Sequence, residues 1–436
     1  MERHEFLAKA WSRYPEARSG WVDVVTFVAD PRDGAIVCGR VGGSDAGFSI
    51  EFGANRLALS FASLEWLEKQ NLEVAANPQL LRVGDLIAVR VSKHDYLRSI
   101  CADRLLLLAP GSPHEIVSPG FDIVRSRQWM NFVAAVRGHF ENREFVEVST
   151  PTLVPSPGTE PFLDPFRTHW EIGSRRRELF LPTSPEFHLK KMLAAGWSRV
   201  FEFKTCFRNG EIGGHHQPEF HMLEWYRAFS NLDTIAADVE ALLAAVCAAF
   251  AVPLPVVERL TMAELFAREF PGFVLRPESS LADLRELAAK HSIGISESDD
   301  FDDLFHRLFL ERLEPALAKR GVVILRGYPP SQAALSRLGA DGFADRFEVY
   351  WRGLELANAF HELNDPAANE ARFAEDADKK LALGKPAVPR DEDLVAAIRS
   401  GLPPSGGIAL GMDRLFMALL GLEDIALTRA FPMRRE

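Results

Sequence analysis

A chain of 436 residues, 47% hydrophobic and 25% charged, has material for two or three packed domains and none of the bias of a disordered or fibrous protein. Its formal net charge of −11 and pI near 5.6 argue against indiscriminate binding to nucleic acid or anionic membrane, while leaving room for a local basic groove. Four scattered cysteines without a C-x-x-C pair indicate neither a zinc ribbon nor a disulfide framework, and MERHEFLAKAW lacks the apolar segment of a secretory leader, so a cytoplasmic protein is expected.

Residues 20–110 alternate short apolar runs with turn residues. WVDVVTFVAD, AIVCGRV, FSIEF and RLALSF read as strands, LEWLEKQ as a helix, and DLIAVRV and RLLLLAP as a final strand pair. Asp33-Gly34, Gly42-Gly43 and Gly84-Asp85 supply the turns. The pattern predicts a small β-barrel-like domain over residues 1–115. Pro, Gly and Ser concentrate in APGSPHEIVSPG (109–120), which marks a boundary, and residues 118–436 form the second expected domain.

Beyond it, RQWMNFVAAVRGHFENREF carries Trp129, Phe132, Val133, Val136 and Phe140 at helical spacing. VEVSTPTL reads as a strand stopped by Pro151, and LPTSPEFHLKKMLAAG as a helix opened by Ser184 and Pro185. RVFEFKTCFR then alternates, with Phe201, Phe203, Thr205 and Phe207 on one face and Glu202, Lys204, Cys206 and Arg208 on the other. EFHMLEWYRAF alternates again after a Gly-rich break, which predicts a hairpin with a long loop and a charged face. Helices are expected through 231–320. ALLAAVCAAFAVPLPVV (241–257) reads as a buried helix ending at Pro253 rather than a membrane span, and SSLADLRELAAKH and FDDLFHRLFLERLEPALAKR are the clearest of the rest. VVILRGYP and RFEVYWRGLELANAF read as strands, and PPSGGIALGMDRLFMALLG as a strand running into a helix.

The hairpin loop in FRNGEIGGHHQPEFHMLEWYRAF (207–229) suits a metal site, a phosphate site or simply a decorated turn. Arg208 beside glycines favours phosphate, because a guanidinium offers a planar donor fork and Gly lets backbone amides approach closely. Arg414, at the helix start after GIALGMD, is a second candidate for the same chemistry. Glu355 and Glu362 lie on opposite faces of a regular strand; a bend at Asn358 would bring both to one site, where two oxygen donors suit Mg²⁺ on nucleotide phosphates. His215, His216 and His221 match no helix-face zinc motif and read as hydrogen-bonding loop residues. GRVGGSDAG has no following G-K-[ST] and reads as a hairpin turn. Glu224 and Tyr226 share a strand face with Phe220 and Met222, which implies at least partial burial.

Together these segments resemble the catalytic core of class II aminoacyl-tRNA synthetases. FENREFVEVSTP resembles motif 1, FKTCFRNGEIGGHHQPEFHMLEWY motif 2 and GGIALGMDRLFM motif 3, in that order, while the HIGH and KMSKS signatures of class I are absent. SPEFHLKKML and RFEVYWRGLELANAFHELND resemble the lysyl branch. YPPSQAALSRL and IALGMDRLFM, with Ala409 where lysyl-tRNA synthetases carry Gly, resemble its short paralogues, which activate (R)-β-lysine and attach it to a lysine of elongation factor P. The resemblance covers roughly residues 118–436. It implies an α+β fold, an antiparallel sheet flanked by helices, here preceded by a small OB-like barrel.

The resemblance also implies roles. Ser184, Pro185 and Glu186 would contact the amino acid, Glu186 through its β-amino group. Tyr226 and Glu362 would hold the ε-amino end, with Glu224, Asn358 and Ala409 beside the substrate. ATP would fall to Arg208, Asn209, Gly210, Glu211, His216, Gln217 and Phe220 of motif 2, to Glu355, Leu356 and Gly411, and to Arg414 at the γ-phosphate. Mg²⁺ would fall to Glu355 and Glu362, and Arg208 and Arg414 would form the catalytic pair. Motif 1 implies a homodimer. Three departures touch loop and adenine contacts: Gly210 for the usual Glu of R-N-E, Gln217 for Asn before P-E-F, and Gly214-His215 for a basic or aromatic pair. The sequence names no base for the lysine that must attack in the second step.

Two other readings exist. A lysyl-tRNA synthetase would use the barrel to grip RNA, but in residues 1–115 three Lys and ten Arg face seven Asp and eight Glu, a net of −2, so tRNA is not the expected partner. A non-catalytic synthetase-like binding protein would commonly lack one of the two arginines, and both are present.

Overall fold

The computed structural model describes residues 21–29, 31–44, 47–52, 55–61, 81–95, 99–109 and 123–433. LEWLEKQ and most of the boundary segment 109–120 lie outside the described residues. The chain divides into two compact units, Met1–Gln128 and Trp129–Glu436, and no helix among the described residues is long and apolar enough to cross a membrane.

The first unit contains β1 (Trp21–Asp23), α1 (Val24–Ala29), β2 (Ile36–Ser44), β3 (Gly47–Phe52), β4 (Asn55–Phe61), β5 (Leu86–Asp95) and β6 (Ser99–Ala109). Its strand order is β1-β2-β3-β4-β6-β5, and a β2–β5 pairing closes the last five into a ring. This is a five-stranded OB-like Greek-key barrel, in which closure removes the free edges. Val37, Val41, Ile50, Leu57, Ile87, Val89 and Val91 fill its interior. WVDVVTFVAD departs from expectation. Only its first three residues pair as a strand; Val24 and Phe27, three apart, are buried on one side of α1 instead.

The second unit is a mixed sheet of eight strands: β7 (Val146–Glu147), β10 (Arg199–Phe207), β11 (Glu219–Ala228), β12 (Val257–Thr261), β13 (Val322–Tyr328), β14 (Ala344–Trp351), β15 (Leu354–His361) and β16 (Ser405–Gly411). They run in the order β12-β13-β14-β15-β16-β11-β10-β7, antiparallel except for the parallel pairings at either edge. A separate hairpin, β8 (Arg167–Ile172) with β9 (Arg175–Phe180), precedes β10. The helices are α2 (Ile123–Glu141), α3 (Glu186–Ala194), α4 (Leu232–Ala249), α5 (Met262–Glu269), α6 (Leu281–Lys290), α7 (Phe301–Leu308), α8 (Glu314–Leu317), α9 (Pro366–Ala382), α10 (Glu392–Gly401) and α11 (Met412–Leu420).

Alternation gives the sheet two chemically distinct faces. On one, Phe201, Leu223, Trp225, Ile408, Leu410, Ala357 and Ala359 pack against α2, α4 and α11, burying Phe132, Val136 and Phe140 of the helical stripe read in the sequence. Phe140 stacks on Phe201 with ring centres 4.9 Å apart and lies 5.1 Å from Trp225. On the other face stand Glu202, Lys204, Met222, Glu224, Tyr226, Ala409 and Asn358, and here the candidate site forms.

Four local readings need correction. VEVSTPTL pairs only at Val146–Glu147; Thr150 and Pro151 beyond it are held by side chains, because the Thr150 N–H donates to Glu202 at 2.8 Å and Lys204 donates to the Pro151 carbonyl at 3.0 Å. The helical region 231–320 is interrupted by β12, an edge strand whose charged VERLT hides the period. FDDLFHRLFLERLEPALAKR is not one regular helix: Phe309–Leu313 form a π segment just before Pro315, which lacks an N–H and crowds the preceding turn. The polar hairpin β8–β9 and helix α9 have no apolar period strong enough to read, whereas α10, which the sequence reading missed, carries Leu394, Val395 and Ile398 at helical spacing.

Phe140→Ala should lower the unfolding free energy by about 3–5 kcal/mol, the usual cost of emptying an aromatic site in a core. Chemical denaturation followed by tryptophan fluorescence checks it, and a loss below about 1 kcal/mol would show that the stack is not central to this core.

Candidate active site

The site face of the sheet is ordered by register. Across it, Glu224 of β11 opposes Ala409 of β16, which opposes Asn358 of β15, which opposes Glu348 of β14. The next row is Tyr226, Gly407, Phe360 and Arg346. These rows floor a cavity of about 410 Å³. Its walls are the loop Thr159–Leu163, the start of α3, the motif 2 loop and the first turn of α11.

Small residues in β16 make the floor possible. A Cβ on Gly407 would lie 2.2 Å from the Tyr226 ring and 2.3 Å from Glu362 Oε1, so this position admits only glycine without rearrangement. Ala409, between Glu224 and Asn358, adds a single methyl to the floor.

One end is acidic. Glu224 is 1% exposed, accepts from Ser184 Oγ at 2.5 Å and from the Tyr226 hydroxyl at 3.1 Å, and is pushed well above the usual carboxylate range by burial and by Glu186. Lys190, one α-helical turn after Glu186, is 2% exposed and lies 2.6 Å from both Glu186 Oε1 and Glu362 Oε2. Burial alone would lower its pKa; the two carboxylates more than offset that and hold it above its ordinary value. Burial raises the Glu362 carboxyl, Lys190 opposes that shift, and Glu186 adds to it. Two carboxylates thus share one internal ammonium, while Glu224 is held by hydroxyls alone.

The other end is cationic. Arg208 follows β10, its guanidinium 5.0 Å from the Phe220 ring centre, its Nε without a hydrogen-bond partner and its nearest acid, Glu211, at 3.9 Å. Arg414, in the first turn of α11, donates to the Glu355 carbonyl at 2.9 Å and to the His215 carbonyl at 3.3 Å, and lies 2.7 Å from His216 Nε2. Burial and then Arg414 lower the pKa of His216, which suits a neutral ring accepting from the guanidinium. Glu355 faces the same space, its carboxyl raised by enclosure and by Glu348 despite Arg414. Beneath it, Glu348 accepts from the hydroxyls of Tyr328 and Tyr350, each at 2.5 Å, and Arg346 donates to Asn358 Oδ1 at 3.0 Å.

Of the residues singled out in the sequence, Ser184, Glu186, Glu224, Tyr226, Asn358 and Ala409 line the cavity toward its acidic end. Arg208, Glu211, His216, Gln217, Phe220, Glu355, Leu356, Gly411 and Arg414 line the remainder. Gln217 is 2% exposed; its Oε1 accepts from the Met433 N–H at 3.0 Å, while its Nε2 has no partner. Pro185, Asn209, Gly210 and Glu362 do not reach the wall. Pro185 caps α3, and the Asn209 N–H donates to the Asp164 carbonyl at 2.7 Å. The expected bend at Asn358 is instead a bulge between Glu355 and Ala357, which oppose the adjacent residues Tyr350 and Val349. It turns Glu355 to the face of Asn358 and into the cavity lining, while Glu362, paired with Lys190 at 2.6 Å, is not part of that lining. Among the described residues no three His, Cys, Asp or Glu converge on a metal.

Sequence reasoning did not single out Glu160 and Asp376, which face the cavity from a loop and from α9, nor Lys190 and Asp413. The Glu186/Lys190 spacing of four on one helix was a legible signal. Asp413, 2% exposed, accepts from the His221 backbone N–H at 2.6 Å and from Thr428 Oγ1 at 3.0 Å, contacts that no local pattern announces.

Comparison with known proteins agrees with this geometry. A family model described as tRNA synthetases class II (D, K and N) matches residues 124–435. A protein of Edwardsiella ictaluri (strain 93-146) named elongation factor P–(R)-β-lysine ligase is 38% identical over 312 residues, 70% of this chain and 94% of the relative. A protein of the same name from Salmonella paratyphi B is 38% identical over 310 residues, 70% of this chain and 93% of its own length. With two motif arginines facing an acidic pocket across one antiparallel sheet, the chain belongs to the class II tRNA synthetases of the D, K and N group.

Proposed function

We propose that this protein is an ATP-dependent ligase that activates (R)-β-lysine as an aminoacyl-adenylate and transfers it to a lysine side chain of elongation factor P. The observation that carries this reading is the charge of the cavity. Glu186 and Glu362 share the single ammonium of Lys190, and Glu224, held by the Ser184 and Tyr226 hydroxyls, adds a third carboxylate, so the group carries two negative charges when all are ionised. A diamino acid brings two ammonium groups to that end and its carboxylate to the other. Buried charges are tolerated when paired, so such a ligand completes the pocket. The names borne by the relatives, and Ala409 on the floor, support the β-isomer over α-lysine.

The chemistry follows from the cationic end. The substrate carboxylate attacks the α-phosphorus in line and pyrophosphate leaves. Arg208 sits where it can offset charge on the equatorial oxygens, and Arg414, fixed by three acceptors, does the same at the distal phosphates. Holding two anions against each other, which water does poorly, supplies most of the acceleration. Glu355 fits an Mg²⁺ ion, because a cation relieves its repulsion with Glu348. When bound, the ion adds charge neutralisation at the phosphates. Glu362, paired with Lys190, supports the pocket rather than the metal.

ATP–pyrophosphate exchange with (R)-β-lysine, with α-lysine and without amino acid tests the reading: preference for (R)-β-lysine is expected. Preference for α-lysine would move the assignment to tRNA charging, and no exchange with either would end both. Arg414→Ala should lower exchange by about 10²-fold or more with an unchanged unfolding midpoint. Ala409→Gly, by removing one methyl from the floor, should shift the kcat/KM ratio toward α-lysine by about tenfold or more; an unchanged ratio would show that Ala409 does not discriminate.

A further inference from the structure

Resting on that function, we propose that Glu160 is the general base that deprotonates the acceptor lysine in the transfer half-reaction. The loop that presents it is fixed on several sides. Gly158 has φ of 122°, and a Cβ there would lie 2.4 Å from Glu160 Oε2, so glycine lets the carboxylate fold back over the chain. Thr183 Oγ1 donates to the Pro157 carbonyl at 2.9 Å. From α9, Lys380 donates to the carbonyls of Glu160 at 3.0 Å and Leu163 at 2.6 Å, and Asp376 accepts from Thr159 Oγ1 at 3.1 Å. The loop is therefore a rigid wall of the cavity, standing apart from the floor that holds the amino acid.

Glu160 differs from the other carboxylates there. Glu186 and Glu362 are tied to Lys190, Glu224 accepts from Ser184 and Tyr226, and Glu355 lies 4.0 Å from Arg414. Glu160 lines the cavity with no ion pair to a cationic side chain among the described residues; it accepts from its own backbone N–H and keeps lone pairs to take a proton. The charged groups around it are Glu186, Arg208, Asp376 and Lys380, whose ammonium is held on the Glu160 backbone carbonyl. Glu160 lines the cavity together with Glu186 of the acidic end and Arg208 of the cationic end, the two ends between which the acyl–phosphate bond would form. Burial, and then Glu186, raise its carboxyl to about 7, poised for proton transfer near neutrality. Two of the histidines lining the cavity are engaged elsewhere: His216 by Arg414, and His221, whose ring lies 3.1 Å from Arg429.

The step balances without any other reactant. The incoming ammonium gives one proton to the Glu160 carboxylate, and the freed lone pair attacks the carbonyl carbon of the mixed anhydride. The carbon–oxygen bond to phosphate breaks, AMP leaves, and the second nitrogen proton passes to solvent as the amide forms.

The test uses single-turnover transfer from enzyme-bound (R)-β-lysyl-adenylate to purified elongation factor P, against capture of the same adenylate by hydroxylamine, a nucleophile that is unprotonated at neutral pH. Glu160→Gln should lower the ratio of protein transfer to hydroxamate formation by about 10²-fold. In the wild type the transfer rate should rise with pH to about 7 and then level. In the variant it should keep climbing toward the free lysine pKa of about 10.4, because only unprotonated amine then reacts. An unchanged ratio, or a wild-type profile with no break near neutrality, would overturn the assignment; the second readout needs no variant. A wild type that forms no adenylate with (R)-β-lysine would defeat the functional reading itself, and this inference with it.

Discussion

The structure of the second unit depends on one constraint: a single antiparallel sheet must be apolar on one face and ionic on the other. Strand β16 bears the tightest form of it. Gly406 and Gly407 are consecutive and so face opposite sides; a Cβ on the first would lie 2.5 Å from Ile235 of the core, and on the second 2.2 Å from Tyr226 of the site. Both layers approach the backbone of this central strand more closely than any side chain allows. Core packing and pocket shape are therefore coupled through the same two residues.

The ionic face is stable because its charges are rationed. Lys190 arrives from α3 rather than from the sheet, so its long stem crosses buried space and its ammonium sits between Glu186 and Glu362. Glu348, between two tyrosine hydroxyls and Arg346, is a second satisfied acid that keeps Asn358 oriented. Glu202 and Lys204 are a third such set, spent on Thr150 and Pro151. The cavity itself is left polarised, with carboxylates in excess at one end and the guanidinium groups of Arg208 and Arg414 at the other.

The barrel of the first unit has its own core and closes its own edges, so it meets the requirements for an independently packed domain. The formal charge of residues 1–115 is near balance.

Much of this was legible in the linear chain, for physical reasons. Period-two alternation in RVFEFKTCFR and EFHMLEWYRAF and the helical stripe from Trp129 to Phe140 are local consequences of side-chain direction, so they specified the hairpin and α2 directly. The order of the three motifs placed Arg208 and Arg414 on separate elements of one fold. The tertiary structure alone decided which charges meet. A bulge across from Tyr350 turned Glu355 toward Asn358, and Lys190 drew Glu362 away from it. A polar loop with no periodicity brought Glu160 to the cavity, and α9, too polar to read as a packed helix, brought Asp376 beside it. Alternation and spacing are set by neighbours a few residues away and can be read from them. Charge pairing across nearly two hundred residues is set by the packing of whole elements, and appears only once they are assembled.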